Sequence, residues 1–149
     1  MKLIAHRGLF NGPNKELENN PDQIEKAWNL GFDCEIDLLI IKKQLFLGHD
    51  NPQYKINHSF LEQGPLWIHA KNLEALHYLT STTLNFFWHQ EDDYTLTSKG
   101  IIWAFPNKLV TNNTVMLMPE WNDPTFNNLN LDCYGICSDW VLKIQNILK

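Results

Sequence analysis

The sequence predicts an α/β fold, a reduced TIM-type β/α barrel of about seven to eight mostly parallel strands that lacks several outer helices. Three observations predict it. Short apolar segments alternate with helical patterns, which is typical of β/α units and a parallel sheet. The strand-sized segments are apolar on both faces, as strands buried between two layers are. Polar residues also cluster where these segments end, which is the catalytic rim of a β/α barrel.

The size and composition suit one domain that spans residues 1–149. Hydrophobic residues make up 44% and charged residues 19%, a balance that argues against a disordered chain. The net charge of −5 argues against a nucleic-acid-binding protein, because such proteins neutralise phosphates with an excess of positive charge. An anionic substrate would therefore need a metal ion or a local cluster of positive side chains.

The chain shows no cleavable export signal, since it becomes polar at His6 and Arg7 before any apolar run is long enough. No segment approaches the roughly 18 apolar residues of a transmembrane helix. We therefore expect a cytoplasmic protein without a membrane span. The three cysteines, Cys34, Cys133 and Cys137, are expected to be reduced. Cys133 and Cys137 have the spacing of zinc ligands, but no second Cys/His pair lies at zinc-finger distance.

The first elements are a strand, a helix and a hairpin. Residues 3–5 form a short apolar strand that leads to His6. Residues 21–30 predict a helix, because Pro21 suits a first helical position and Gly31 is a natural stop. Residues 34–41 predict a strand whose hairpin partner is 44–47.

Five further strands and two helices follow. The strands are predicted at 66–68, 85–88, 101–104, 115–118 and 134–137, and the helices at 73–79 and 140–148. A β/α barrel usually takes about 250 residues, so this chain cannot hold eight full helices. Residues 105–114, with Pro106, leave no room for one. Some outer helices must be missing, and the resulting apolar outer wall is compatible with a homo-oligomer.

Glu35 and Asp37 are the first candidate site residues. They lie two apart on a predicted strand, so both side chains point to one face while Cys34, Ile36 and Leu38 point to the other. Two carboxylates inside a barrel repel each other, and a divalent cation would offset that repulsion. The alternative is the solvated face of an edge strand, but the apolar run that follows argues against an edge.

His6 and His49 are candidate acid–base residues. Each follows a predicted strand, and each taken singly is more often structural than catalytic. Together they fit a general base and a general acid on either side of one phosphorus atom. Arg7 could hold a phosphate with its guanidinium, and Gly8 would allow a close approach of the backbone.

The first fifty residues resemble the N-terminal signature of the glycerophosphodiester phosphodiesterase family, within the phospholipase C-like phosphodiesterase superfamily. That signature runs His-Arg-Gly, Glu-Asn-Thr, Gly-x-Asp, Glu-x-Asp and His-Asp. The matching segments here are His6-Arg7-Gly8, Glu18-Asn19-Asn20, Gly31-Phe32-Asp33, Glu35-Ile36-Asp37 and His49-Asp50. Later segments resemble the family's strand ending in Glu-x-Lys and its closing Gly-Ile-x-Thr-Asp, namely residues 66–71 and 135–139.

The resemblance implies a metal-dependent phosphodiesterase that cleaves a small, glycerophosphodiester-like substrate. Glu35 and Asp37 would bind one divalent metal ion, and His6 and His49 would be the acid–base pair. One histidine would activate water or a neighbouring substrate hydroxyl, and the other would protonate the leaving alkoxide. The residues expected to hold the substrate and its phosphate are Arg7, Lys71 and Trp121.

The chain departs from the family pattern at three points. His69 stands where the family has a third carboxylate ligand, so the expected metal ligands are Glu35, Asp37 and His69. The ion would be Mg²⁺, Ca²⁺ or Mn²⁺, with a transition metal favoured if His69 is a ligand. Asn20 replaces a threonine and can also cap a helix. The chain is also about 100 residues shorter than a usual barrel.

Weaker candidates and two competing hypotheses remain. Trp88, Trp103 and Trp121 are interpreted as core packing, with a stacking wall for an organic group as the alternative. His89 ends a predicted strand, while His58 and His77 are expected at the surface. The first competing hypothesis is a degenerate barrel that binds a phosphorylated ligand or a partner protein without turnover. The second is an unrelated α/β binding domain.

Overall fold

The computed structural model describes residues 1–149 and shows a mixed α/β fold built on one ten-stranded sheet. The strands are β1 (Lys2–Ala5), β2 (Asp33–Ile41), β3 (Gln44–Leu47), β4 (Tyr54–Ile56), β5 (Leu66–Ala70), β6 (Phe86–Phe87), β7 (Tyr94–Leu96), β8 (Ile102–Ala104), β9 (Thr114–Leu117) and β10 (Gly135–Ser138). The helices are α1 (Pro21–Asn29), α2 (His58–Leu61), α3 (Leu73–Thr80) and α4 (Val141–Ile147).

The sheet is mostly parallel. Its parallel strands follow the order β6-β5-β2-β1-β10-β9-β8, and each corresponds to a strand predicted from the sequence. The predicted hairpin is also present, since β3 pairs antiparallel with the end of β2 and carries β4 on its other edge. β4, β7 and the one-turn helix α2 were not predicted. β7 pairs antiparallel with β8.

The sheet curls into a half-barrel, and its ladder pairing does not close into the reduced barrel that the sequence predicted. The open stretch lies between β6 and β7. Irregular hydrogen bonds cross it, among them those from the Ser98 amide to the Phe86 carbonyl at 2.8 Å and from the Thr95 hydroxyl to the Trp88 carbonyl at 2.8 Å. The curl therefore brings both ends of the sheet together without a regular ladder between them.

β2 separates the polar interior from the main core. Asp37 lies opposite His69 in the parallel pairing of β2 with β5, so these two side chains point into the curl. The alternate residues of β2 point outward into a core of 17 buried residues shared with α1 and α3, as the two-residue periodicity predicts, and they include Cys34, Ile36 and Leu38. All three cysteines are free and buried.

A smaller apolar cluster fills the inside of the curl. It consists of Ile4, Trp67, Phe87, Trp103, Val115 and Cys137. Trp67 precedes His69 on the inner face of β5, and its indole Nε1 donates to Asp33 Oδ2 at 3.1 Å. This cluster forms a floor, so the polar residues that follow on the same strands lie at the mouth formed by the carboxyl ends.

The helices are few, as the chain length predicts. α1 starts at Pro21, and the Asn20 side chain caps it by accepting from the amides of Asp22 and Gln23. Gly31 ends it with a φ of 88°, a conformation that favours glycine. No helix in the structure has the length and apolar character needed to cross a membrane.

The outer face near β8 has no covering helix. The segment between β8 and β9 contains no helix, as we predicted from the short length of residues 105–114 and from Pro106. Leu96 is 64% exposed and Leu109 is 87% exposed on this side of the molecule. The homo-oligomer expected from such an apolar wall stays a prediction.

Candidate functional site

One cavity of about 420 Å³ lies at the mouth of the curled sheet. Its charged and imidazole-bearing lining residues are His6, Arg7, Glu18, Glu35, Asp37, His49, His69, His89 and Asp139. The cavity therefore brings together both predicted acid–base histidines and all three predicted metal ligands. Arg7 and Trp121 also line it, whereas Lys71 does not.

Glu35 and Asp37 point into the cavity from the inner face of β2, with side chains only 4% and 1% exposed. The sequence predicted them within a strand that spans residues 34–41. In the structure β2 continues past Asp37 to Ile41, because its last residues pair with the β3 hairpin. The two carboxylates thus lie within a rigid strand and not on its frayed end.

Asn19 holds Asp37 in place. Its side-chain amide donates to Asp37 Oδ2 at 2.9 Å, and its Oδ1 accepts the Asp37 backbone N–H at 2.9 Å. Asn19 is fully buried and adopts a φ of 58°, a left-handed conformation that asparagine tolerates better than most residues. Asp37 Oδ1, on the other side of the carboxylate, is buried and has no hydrogen-bond partner.

The two carboxylates have opposite pKa shifts. Burial and the charge of Asp37 raise the pKa of Glu35 above its usual value. Burial also acts to raise the pKa of Asp37, but the neighbouring His69 and the Arg7 guanidinium outweigh it and hold that pKa well below its usual range. Two neighbouring buried carboxylates resist ionising together, and a cation between them would offset their repulsion.

The ligand set fits one metal ion. One ligand atom from each of Glu35, Asp37 and His69 lies within 4.8 Å of the others. Asp37 Oδ1 belongs to this cluster and accepts no hydrogen bond, although His69 Nδ1 lies 3.4 Å and Lys71 Nζ 3.9 Å away. A bound cation would therefore satisfy a buried acceptor. The donor chemistry, two carboxylates and one imidazole, is that of a divalent cation site.

His6 is held by Asp139 from the other end of the chain. His6 Nδ1 lies 2.8 Å from Asp139 Oδ1, and the Asp139 amide donates to Glu120 Oε1 at 3.0 Å. Burial acts to lower the pKa of His6, but the hydrogen bond with Asp139 and the charge of Glu35 outweigh it and raise that pKa. His6 is therefore suited to hold a proton on the Nε2 that remains free for a ligand.

His49 reaches the rim through the hairpin. It follows β3 by two residues, and the Gly48 amide donates to the Asp37 carbonyl at 3.1 Å, which ties this turn to β2. His49 Nδ1 lies 2.8 Å from Asp50 Oδ1, and the side chain is 36% exposed. His49 thus faces the cavity from the solvent side, whereas His6 faces it from the buried side.

The predicted phosphate-binding cations both contact Asp37. Arg7 Nε lies 3.2 Å from Asp37 Oδ2, while its NH1 donates to Glu18 Oε2 at 2.7 Å. Lys71 Nζ lies 3.9 Å from Asp37 Oδ1. Four carboxylates and one guanidinium line the cavity, a formal charge of −3 with neutral histidines. An anionic phosphate would be repelled there unless a cation were bound as well.

Seven further residues of the cavity lining are apolar. They are Pro13, Trp103, Phe105, Pro106, Leu117, Met118 and Trp121. Trp103 is 2% exposed and stacks on Phe87 at 4.6 Å, so it also belongs to the core. Trp121 is 65% exposed at the rim. The cavity lining thus combines charged residues with apolar ones that could accommodate an organic group.

Of the remaining histidines and Trp88, only His89 lines the cavity. Its Nε2 lies 2.6 Å from the Asp92 carbonyl. His58 and His77 are exposed and lie outside the cavity, as predicted. Trp88 is also absent from the cavity lining.

Sequence reasoning missed two roles at this site. Asp139 as the partner of His6, and Asn19 as the partner of Asp37, had no assigned function. Both lie in segments that carry the family resemblance, Glu18-Asn19-Asn20 and residues 135–139, and this was the only available signal. His6 and Asp139 are 133 positions apart along the chain, and Asn19 and Asp37 are 18 positions apart. No local sequence pattern predicts contacts over such separations.

No protein-family model matches the chain, and comparisons with curated proteins and with solved structures likewise give no match.

Proposed function

We propose that this protein is a metal-dependent phosphodiesterase that cleaves a small, glycerophosphodiester-like substrate by acid–base catalysis with His6 and His49. The observation that carries the proposal is that a single cavity is lined by both histidines and by the Glu35–Asp37–His69 cluster. The resemblance of the N-terminal motifs to the glycerophosphodiester phosphodiesterases points to the same chemistry.

The charge of the cavity supports a metal requirement. The cavity is lined by four carboxylates and one guanidinium, so the protein alone does not attract a phosphodiester. A divalent cation held by Glu35, Asp37 and His69 would supply Lewis-acid stabilisation of the charge that develops on a non-bridging phosphate oxygen. Arg7 would then hold the phosphate beside this centre, since its backbone and side chain already contact Glu35 and Asp37.

His6 is the proposed general acid. The Asp139 carboxylate stabilises its imidazolium form, and its Nε2 would donate a proton to the leaving alkoxide as the P–O bond breaks. His49 is the proposed base and would accept the proton of the nucleophile, which is water or a hydroxyl of the substrate. Attack by water yields a phosphomonoester and an alcohol, whereas attack by a neighbouring hydroxyl yields a cyclic phosphodiester and the same alcohol.

A second candidate function is binding of a phosphorylated ligand or a partner protein without turnover. The exposure of His49 and its pairing with Asp50 favour this alternative, because an exposed imidazole is held less firmly than the His6–Asp139 pair. A protein of this kind would bind metal and phosphate but leave the diester intact.

Turnover of bis(p-nitrophenyl) phosphate and of glycerophosphoethanolamine by chelator-treated protein, with and without added Mn²⁺, separates these functions. The first substrate has no neighbouring hydroxyl and reports hydrolysis alone, while the second can be hydrolysed or cyclised. We expect cleavage of at least one substrate only when metal is present. Binding of Mn²⁺ without cleavage of either substrate would favour the non-catalytic alternative.

A further inference from the structure

We infer that His69 binds the metal through Nδ1 and makes this centre selective for a transition-metal dication, such as Zn²⁺, Co²⁺ or Mn²⁺, over Mg²⁺ and Ca²⁺. The inference rests on the proposed function for the role of the centre in catalysis. The choice of Nδ1 as the ligand atom, however, depends only on the contacts of the His69 ring.

The hydrogen bond of His69 to the backbone determines its tautomer. His69 Nε2 lies 2.8 Å from the carbonyl oxygen of His89. A carbonyl oxygen can only accept, so Nε2 must carry the proton and donate it. A neutral imidazole has one N–H, which leaves a lone pair on Nδ1. A histidine that donates one nitrogen to a carbonyl and offers the other to a metal is the usual arrangement of a histidine ligand.

The orientation of the His69 ring is also fixed by its neighbours. The ring stacks on Phe87, with ring centroids 5.0 Å apart and planes 19° apart, and the His69 side chain is only 16% exposed. Exchanging the two nitrogens by a ring flip would break the hydrogen bond to His89. The strand pairing places His69 beside Asp37, and with Nε2 bonded to His89 the other nitrogen, Nδ1, lies on the side of the carboxylates.

Nδ1 faces two oxygen acceptors. It lies 3.4 Å from Asp37 Oδ1 and 3.9 Å from Glu35 Oε1. Ligand atoms that each lie about 2.1 Å from a metal can be at most about 4.2 Å apart, so both separations fit a shared ion. A proton shared between Nδ1 and Asp37 is the competing occupant, but 3.4 Å exceeds the roughly 2.7–3.2 Å of an N–H···O bond.

The donor set determines which ion is preferred. Imidazole suits Zn²⁺, Co²⁺ and related ions, whereas Mg²⁺ and Ca²⁺ prefer oxygen ligands alone. With Glu35 and Asp37, the ligands carry a charge of −2, which attracts a purely ionic cation less than three carboxylates would. Replacing His69 by glutamate should therefore move the preference back towards Mg²⁺ and Ca²⁺.

The test measures metal binding directly. Chelator-stripped wild-type protein, His69→Glu and the exposed control His77→Glu are titrated calorimetrically with Zn²⁺, Co²⁺, Mn²⁺, Mg²⁺ and Ca²⁺. We expect His69→Glu to lower the affinity for Zn²⁺ relative to Mg²⁺ by about 100-fold, since changes in even the surrounding shell cost 10–100-fold. His77→Glu should keep the wild-type order of the five ions. An unchanged order in His69→Glu would overturn the inference.

Long-range ¹H–¹⁵N correlation spectra of the wild-type protein provide a test that does not depend on the folding of a variant. On addition of Zn²⁺, the His69 Nδ1 resonance should move while Nε2 keeps its proton. A Nδ1 resonance that is unchanged at saturating Zn²⁺ would exclude coordination. Neither experiment measures turnover, so a protein that binds Zn²⁺ through His69 but cleaves no phosphodiester would refute the proposed function and leave this inference intact.

Discussion

Asp139 Oδ1 lies 2.8 Å from Nδ1 of His6, although 133 residues separate the two along the chain. The contact forms because β1 and β10 are neighbouring parallel strands that pair Ala5 with Ser138. His6 and Asp139 each follow directly, at the same edge of the sheet. The carboxylate therefore engages one nitrogen of the imidazole and leaves Nε2 for the cavity, so Asp139 would act on the proposed reaction as a positioning residue.

Replacing Asp139 by asparagine should lower kcat by about 10- to 100-fold, part of what a general acid contributes. The substitution removes the charge that favours the imidazolium form of His6, so the pKa of His6 should fall. If His6 is the general acid, activity should then decline with rising pH at a lower pH in the variant than in the wild-type protein. A pH profile of kcat checks this, and a loss of activity with an unshifted alkaline limb would indicate damage to the fold instead.

The same pair should make stability depend on pH. The folded-state pKa of His6 is raised, so the ion pair contributes its full stability below the unfolded-state pKa of about 6.5 and loses part of it as pH rises through the folded value. The advantage of wild type over Asp139→Asn in urea unfolding should therefore be largest in mild acid, at about pH 5 to 6, where carboxylates are still ionised and histidine is protonated. It should not vanish at high pH, because neutral His6 can still donate Nδ1–H. An advantage that grows as pH rises would contradict this account.

Asn19 should be important for stability. Replacing it by alanine leaves the buried Asp37 amide and carboxylate without two hydrogen bonds, which should cost about 2–3 kcal/mol. The adjacent Asn20→Ala is the matched control, because it removes only a helix cap and should cost about 1 kcal/mol. Urea unfolding measures both. Equal losses would mean that the Asn19–Asp37 contact adds nothing beyond an ordinary cap.

Trp121 should contribute to substrate binding and little to folding. It is exposed at the cavity rim, so Trp121→Ala should raise KM about 3- to 10-fold, the range of a single aromatic contact, with an unchanged Tm. Trp88→Ala is the control, since Trp88 is half-exposed but lies outside the cavity lining. An unchanged KM in Trp121→Ala would remove Trp121 from the binding surface.

The parallel strands could be predicted because most of their residues are apolar, as in 66–68, where every residue is buried. β4 and β7 were missed because they are only three residues long and partly exposed, and antiparallel pairing alone defines them. α2 is a single turn capped by Asn57, too short to show a helical period. The opening between β6 and β7 could not be predicted, because the chain there is joined only by irregular contacts, such as the Ser98 amide with the Phe86 carbonyl, that have no sequence pattern.

The residues of the site were easier to predict than the contacts that hold them in place. Glu35 and Asp37 share a face by strand periodicity alone, and both point into the cavity. The hydrogen bond of His69 to the His89 carbonyl could not be predicted, because it depends on how the chain turns after β6. Lys71 was expected at the phosphate, but its ammonium lies beside Asp37 and outside the cavity lining.

The most direct test of the proposed phosphodiesterase is cleavage of glycerophosphoethanolamine by Mn²⁺-loaded wild type, His6→Ala, His49→Ala and the surface control His77→Ala. Aliquots are quenched with EDTA, and ³¹P NMR then separates the diester from a phosphomonoester or a cyclic product. We expect wild type and His77→Ala to cleave the diester at the same rate, and His6→Ala and His49→Ala to be slower by about 10²-fold or more. Similar losses in all three variants, or an intact diester with the metal-loaded wild-type protein, would contradict the account.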